Sequence, residues 1–344
     1  MSPVVDRLRI QALATAMAAP DALARRMARV PESIDGQPLD LRTRLFLTFL
    51  QLDHVEHHTL PVATQRAEID LASRVFAAAP EPCARAWVDV PLRGRTLRAR
   101  TYVPFEEEPR GALLYLHGGG FVTGGPEPYD PLCSRLARVA GCRVFSLEYR
   151  LAPEHPFPAA ADDALDALWW LREHAASFGV DPALVAIGGD SAGGNLSAAT
   201  CNALGPGEQP LFQLLIYPGT DMVEERPSRA TFGTGFYMSN DHVRWFYTTY
   251  APTAEDRASP RASPIRAERL GAAPAILVLA GLDPLFDEGA AYGARLREAG
   301  VPVERLDVSG MVHGFVSLNA VLPAAEAAVA RVCAAVAARF DAAR

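Results

Sequence analysis

Apolar and polar positions change rhythm once, decisively, along this 344-residue chain. From Met1 to about Pro80 the apolar residues fall at helical spacing. Leu39, Leu41, Leu45, Phe46, Phe49, Leu50 and Leu52 form one stripe, and Ile69, Leu71, Val75 and Phe76 form another. Pro20, Pro31, Pro38 and Pro61 punctuate them. These stripes have no obvious core of their own, so residues 1–80 are expected to be a helical cap laid over the remainder, residues 81–344.

From Trp87 the period shortens to two. Residues 86–90 and 97–103 alternate around Arg93-Gly94-Arg95, which predicts an antiparallel hairpin. Apolar runs follow at 112–116, 183–187 and 275–279, the pattern of strands covered on both faces, and further strands are predicted at 143–147, 211–216 and 303–308. Helices are predicted between them over 129–140, 159–174, from 192 onward, over 285–299 and over 323–340. Strands alternating with helices imply an α/β fold with a mostly parallel sheet and helices on both faces. Residues 217–264, rich in Pro, Gly, Thr and aromatics with one predicted helix at 241–250, break this alternation and read as a lid inserted between two strands.

Composition narrows the function classes. With 49% hydrophobic residues the chain can bury a large core, and a net charge of -7 argues against a nucleic-acid partner or an anionic membrane surface. No apolar run approaches a membrane span. The five cysteines are irregularly spaced without a Cys-x-x-Cys pair, so neither a disulfide framework nor a zinc site is expected, and a cytoplasmic location is. The Ala-rich patch at 12–19 reads as an amphipathic helix, because Asp6, Arg7, Arg9 and Gln11 crowd out a signal-peptide core. Asp53-His54-Val55-Glu56-His57-His58 has neither His-Glu-x-x-His nor His-x-x-Glu-His spacing. It is expected to be a solvated or partner-packed helix face rather than a metal site.

The candidate chemistry lies at Gly188-Gly189-Asp190-Ser191-Ala192-Gly193-Gly194-Asn195. A buried strand precedes it and an Ala-rich helix follows, so Gly189-Asp190-Ser191-Ala192-Gly193 fits the Gly-x-Ser-x-Gly nucleophile elbow. A serine hydroxyl needs a base within hydrogen-bond reach and a third group to orient that base. His313 and Asp283 stand just beyond predicted strand ends, where open α/β sheets place their sites. The chain order Ser191, Asp283, His313 is that of the α/β-hydrolase arrangement. A turn or N-cap role before Pro284 is the rival for Asp283. Asp287 and Glu288 are alternative acids, expected inside the following helix and paired outward. A tetrahedral oxyanion needs backbone donors. Ala192 supplies one, and His117-Gly118-Gly119-Gly120-Phe121, following a strand, can supply others. A phosphate-binding loop is disfavoured there, because the glycines lack both Gly-Lys-Ser/Thr and Gly-x-Gly-x-x-Gly.

His117-Gly118-Gly119-Gly120-Phe121, Tyr149-Arg150-Leu151-Ala152-Pro153-Glu154, Gly189-Asp190-Ser191-Ala192-Gly193-Gly194, Asp283-Pro284-Leu285 and His313-Gly314-Phe315 together resemble the hormone-sensitive-lipase family of bacterial esterases, from about Trp87 to the C-terminus. The resemblance implies an α/β-hydrolase fold with an eight-stranded sheet, capped by the N-terminal arm and the 217–264 insertion. It implies cofactor-free and metal-free hydrolysis of small carboxylic esters with short to medium acyl chains. Ser191 would be the nucleophile, His313 the base and Asp283 its orienter. Gly118, Gly119 and Ala192 would be the oxyanion donors, with Gly120 as a substitute if the loop is offset by one. Asp190 matches the branch with an acid before the serine, and Glu154 looks like a loop brace. A homodimer joined near the last strand is suggested. An amidase or deacetylase with the same triad is the alternative activity, and a non-catalytic receptor on the same scaffold is a weaker one because the triad is complete. Phe232, Phe236, Tyr237, Trp245 and Phe246 are candidates for lining the acyl or alcohol pocket.

Overall fold

In the computed structural model, which describes residues 3–52, 56–105 and 108–343, the N-terminal stripes fold as α1 (Pro3–Met17), α2 (Asp21–Met27), α3 (Leu41–Leu52) and α4 (Val62–Phe76). Between α2 and α3 a hairpin of two-residue strands, Ser33–Ile34 and Gln37–Pro38, turns on Asp35-Gly36, both left-handed at φ 50° and 73°. The helical stripes hide it, although Asp-Gly is a strong local turn signal.

The alternating and continuous runs form one eight-stranded sheet. Its strands are β1 (Ala84–Leu92), β2 (Arg95–Val103), β3 (Ala112–Leu116), β4 (Arg143–Leu147), β5 (Val185–Asp190), β6 (Gln213–Ile216), β7 (Ala275–Leu282) and β8 (Val303–Val312). The order across the sheet is β8-β7-β6-β5-β3-β4-β2-β1. The hairpin β1–β2 and the pair β2–β4 are antiparallel, and all other neighbours are parallel. The inner strands β3, β5, β6 and β7 are buried along their whole length, which is why they read as unbroken apolar runs.

The remaining helices are α5 (Asp130–Ala140), α6 (Ala159–His174), α7 (Ala192–Ala203), α8 (Pro227–Phe232), α9 (Asn240–Tyr250), α10 (Ala254–Ala258), α11 (Phe286–Glu298) and α12 (Pro323–Asp341). α5 and α12 share one core layer, whereas α6, α7 and α11 pack in the layers of the opposite face. The 217–264 stretch holds α8, α9 and α10 where the sequence predicts a single helix, because α8 and α10 are too short to show a period. Among the described residues no helix is long and apolar enough to cross a membrane. All five cysteines are buried and unpaired.

Three strands outrun their predicted ends. β5 starts at Val185, since Asp181 caps a short turn at Pro182–Leu184, and it runs on through Gly188 and Gly189 to Asp190. Those glycines pair with Tyr115 and Leu116 of β3 although they add no hydrophobicity. β7 and β8 extend to Leu282 and Val312. β8 carries an irregularity: Val308 pairs with Ala280 but Val312 with Leu282, so the strand gains two residues around Gly310, at φ 70°.

Glu288 departs from the expectation of an outward pair. It lies on the buried face of α11, where its Oε1 accepts the N–H of Thr220 at 2.7 Å and of Asp221 at 3.3 Å and the hydroxyl of Tyr247 at 3.2 Å. It therefore ties α11 to the loop after β6 and to α9. Asp287 accepts the Ser228 N–H at 2.7 Å, at the start of α8. Burial pushes the Glu288 carboxyl up from 4.5 to about 7. A carboxyl raised by folding holds its proton more tightly in the folded state. Its stabilisation is complete below about 4.5 and is lost as pH rises through about 7. Glu288→Gln keeps an acceptor and cannot ionise. Denaturant melts at pH 5 and pH 8 are expected to show the wild type losing stability relative to this variant across the interval. Parallel pH dependence of the two proteins would contradict the coupling.

Candidate active site

Strand register brings the motif residues together. β3 and β5 are neighbours with Leu116 opposite Gly189, so the loop after β3 and the elbow after β5 emerge side by side. The chain reverses its direction of travel across the sheet at β3, and such a switch point opens a crevice beyond the carboxyl ends of the strands. β7 and β8 are also neighbours, with Leu282 opposite Val312, so Asp283 and His313 leave adjacent strand ends. β6 separates β5 from β7, and its Tyr217 fills the gap, its ring 4.6 Å from that of His313.

At the elbow Ser191 sits at φ 53°, ψ -114°, a conformation L-residues seldom adopt. The turn requires its glycines: a Cβ on Gly189 or Gly193 would run into the Leu116 carbonyl oxygen of β3. Ser191 thus stands at the N-terminus of α7.

The Ser191 hydroxyl lies 2.8 Å from His313 Nε2, and His313 Nδ1 lies 2.7 Å from Asp283 Oδ2. A carboxylate accepts only, so Nδ1 carries the imidazole proton and the Nε2 lone pair faces the hydroxyl. Asp283 is fully buried, and its Oδ1 accepts the Leu285 N–H at 2.7 Å. The turn role and the histidine contact are therefore not alternatives, since each uses a different oxygen. The approach of β7 to β8 is set by Gln37 of the N-terminal hairpin. Its amide donates to the Gly281 carbonyl at 2.8 Å and accepts the Gly310 N–H at 2.9 Å, bridging the strands just before Asp283 and His313. No sequence signal marks Gln37, because its partners lie more than two hundred positions away.

The glycine loop after β3 departs from the sequence expectation at Gly118. The Gly118 N–H donates to Asp190 Oδ1 at 2.8 Å and also lies 3.1 Å from the Tyr129 hydroxyl oxygen. It is spent and cannot also face a substrate. The N–H groups of Gly119, Gly120 and Ala192 have no acceptor among the described residues. Gly119 and Gly120 are left-handed, at φ 116° and 62°, and a Cβ on Gly120 would strike the Phe246 ring. Asp190 takes the N–H of the first of the three glycines, which leaves those of Gly119 and Gly120 open.

Asp190 is buried, and its carboxylate gathers the hydroxyls of Tyr115 at 2.8 Å, Tyr129 at 2.9 Å and Tyr217 at 3.4 Å besides the Gly118 N–H. Burial raises its pKa, although the Tyr115, Tyr129 and Gly118 hydrogen bonds oppose that rise. His117, buried against Tyr149 with ring centroids 4.3 Å apart, donates from Nδ1 to the Gly118 carbonyl at 2.7 Å. Burial holds its imidazole at about 4, so it braces the loop as a neutral ring. Glu154 pairs through both oxygens with Arg66 of α4, at 2.8 and 2.7 Å, which holds its carboxyl down at about 2. Arg66 also donates to the carbonyls of Val122 at 2.8 Å and Ala152 at 3.1 Å. Glu154 is thus a brace, and its partner comes from the motif-free arm.

Above Ser191 lies a cavity of about 510 Å³, lined largely by apolar side chains. α1 contributes Ile10 and Leu13, α3 Phe49 and Leu50, and α4 Ile69 and Phe76. Of the five insertion aromatics only Tyr237 and Phe246 reach it. Phe232 and Phe236 pack edge to face on each other, and Trp245 packs beside Phe246 rather than lining the cavity. Tyr237 is left-handed at φ 75°, 43% exposed and packed near Gly314. In the Asp53–His58 stretch, residues 53–55 lie outside the described residues. His57 and His58 fall in a short 3-10 turn, not on an α-helical face, and His57 pairs with Glu68 at 3.0 Å.

A family model described as the alpha/beta hydrolase fold matches residues 113–317. The chain is 38% identical to an ethyl acetate hydrolase of Pseudomonas putida, over 78% of this chain and 87% of that protein. It is also 38% identical to the carboxylic ester hydrolase LipN of Mycobacterium tuberculosis, over 83% of this chain and 79% of that protein. Among solved structures, an ester hydrolase from the metagenome of Lake Arreo superposes with a TM-score of 0.83 at 40% identity, covering 88% of this chain and 99% of that one. An esterase of the archaeon Pyrobaculum calidifontis gives 0.81 at 36% identity, covering 88% and 98%. Relatives at this identity, aligned over most of both chains, share more than a scaffold: the chain belongs to the hormone-sensitive-lipase family of esterases within the α/β-hydrolases, and it is a serine carboxylesterase.

Proposed function

We propose that the chain cleaves carboxylic esters of short to medium acyl chains, with Ser191 as nucleophile, His313 as base and Asp283 as its orienter. The observation that carries this reading is the unbroken line of hydrogen bonds from Asp283 through His313 to Ser191 at the floor of the cavity. Ser191 Oγ attacks the ester carbonyl carbon while His313 Nε2 takes its proton. The tetrahedral oxyanion accepts hydrogen bonds from Gly119, Gly120 and Ala192, whose N–H groups are otherwise unused. His313 then protonates the departing alcohol, and the C–O bond breaks to leave an acyl-Ser191. A water molecule gives its proton to His313 and attacks the acyl carbon, and Ser191 recovers its hydrogen as the acid leaves.

A largely apolar space of about 510 Å³ suits a small ester rather than a long-chain lipid. In this proposal residues 1–80 and 217–264 act as a cap, since both contribute walls to that space. A homodimer through the edge strand β8 and a reducing, cytoplasmic setting for the buried cysteines belong to the same proposal.

A series of p-nitrophenyl esters from acetate to palmitate, run on wild type and Ser191→Ala, tests the assignment. Turnover should peak among the short chains, and Ser191→Ala should lose about 10⁴-fold or more while keeping its thermal melt. Retained hydrolysis by Ser191→Ala would refute it. Asp190→Ala removes the acceptor that holds Gly118. It is expected to lower kcat about a hundredfold with a smaller change in KM, through a misplaced oxyanion loop. Equal losses in binding and turnover would instead mark a general loss of structure.

A further inference from the structure

One part of the cavity wall is not apolar. Glu68 of α4, His57 and His242 of α9 line it together. Glu68 has a side chain 12% exposed, and its Oε2 accepts from His57 Nδ1 at 3.0 Å. Its Oε1 is buried and has no hydrogen-bond partner among the described residues. A buried carboxylate oxygen without a partner is costly, so Glu68 gains by turning that oxygen to a donor that enters the cavity beside it.

His242 presents the same polarity. The Gln65 amide nitrogen donates to the Leu60 carbonyl at 2.9 Å, which leaves Gln65 Oε1 as the acceptor facing His242 Nε2 at 3.1 Å. The His242 proton therefore sits on Nε2, and Nδ1 is a bare acceptor with no partner among the described residues. Burial, with His57 and His58 nearby, pushes this imidazole down to about 3, so it stays neutral. The ring is stacked on Phe246, with centroids 4.2 Å apart, and Phe246 in turn covers Gly120. The unsatisfied groups of this wall are thus acceptors, and His242 is joined to the glycine loop through Phe246.

We infer that Glu68 and His242 form a polar subsite that selects esters bearing a hydrogen-bond donor, a hydroxyl or an ammonium, on one arm, over aliphatic esters of the same length. The inference rests on the cavity being the ester site proposed above, and it adds the chemical class that the apolar residues alone do not set. A site built to bond a donor discriminates strongly against the analogue lacking it, because the buried acceptors are then left unpaired.

Ser191→Ala protein allows binding to be read without turnover. Dissociation constants would be measured for ethyl heptanoate, ethyl 6-hydroxyhexanoate and ethyl 6-aminohexanoate, and for heptyl acetate against 6-hydroxyhexyl acetate, to place the subsite on the acyl or the alcohol side. At least one donor-bearing ester should bind about tenfold tighter than its aliphatic partner. Glu68→Met, close in volume and without an acceptor, and His242→Phe, which keeps the stack on Phe246, should each bring that ratio towards one. Equal affinities for every pair, or a preference that survives both substitutions, would overturn the subsite. The hydroxyl and ammonium arms separate a neutral donor from a cation. Parallel turnover of ethyl heptanoate by the Ser191 enzyme reports separately on the hydrolase reading, so failure of either is recognised on its own.

Discussion

One buried carboxylate holds three parts of the site in register. Asp190 ends β5 immediately before Ser191, accepts the Gly118 N–H of the oxyanion loop, and receives hydroxyls from β3, from the start of α5 and from the residue after β6. A carboxylate taken from water without partners would be strongly destabilising, and four donors arranged around it turn that cost into a constraint. The last donor, Tyr217, also lies against His313, so the same group links Ser191, the glycine loop and His313. If Asp190 were apolar, three tyrosine hydroxyls would lose this acceptor at once, and the Gly118 N–H would keep only the Tyr129 hydroxyl oxygen at 3.1 Å. The loop would then be free to shift towards the donor that Asp190 now occupies.

This constraint explains which parts of the site were legible in the sequence. Gly189, Gly193, Gly119 and Gly120 are readable because each answers a local demand: a strand crossing closely under a helix start, or a left-handed turn. Ser191, Asp283 and His313 are readable because strand ends recur in a fixed order. Which of three consecutive glycines offers a free N–H is not readable, since it depends on where a carboxylate seventy-two positions away points its oxygen. A tyrosine inside the otherwise aliphatic strand Ala112–Leu116 was the available clue that a polar group lay nearby. Glu288 was misread for a related reason. An acid in the first turn of a helix is ordinarily solvated, and nothing local reports that the loop after β6 passes over it.

The N-terminal arm was legible as helices and opaque as function. Its periodicity marks the faces that α3 and α4 bury, but its working residues, Gln37, Arg66 and Glu68, are polar groups whose partners lie on other elements or on the cavity wall. Polar contacts across such sequence distances leave no periodic trace. Only the summed packing of the arm on the sheet brings them into place.

That placement makes the arm more than a roof. Sheet ends fix the chemistry in this architecture, and the covering segments would ordinarily be free to vary with substrate. Here the covering segment reaches down. Arg66 grips the carbonyls of Val122 and Ala152, and Gln37 spans the pair of strands that deliver Asp283 and His313. Replacing the arm would therefore also remove a brace from the glycine loop and a bridge from beneath His313. Glu68 follows Arg66 by two positions on α4, so one turn of that helix presents Arg66 to the loops on one side and Glu68 to the cavity wall on the other. The arm is thus tied by Gln37 and Arg66 to the strand ends and loops on which the candidate site is built.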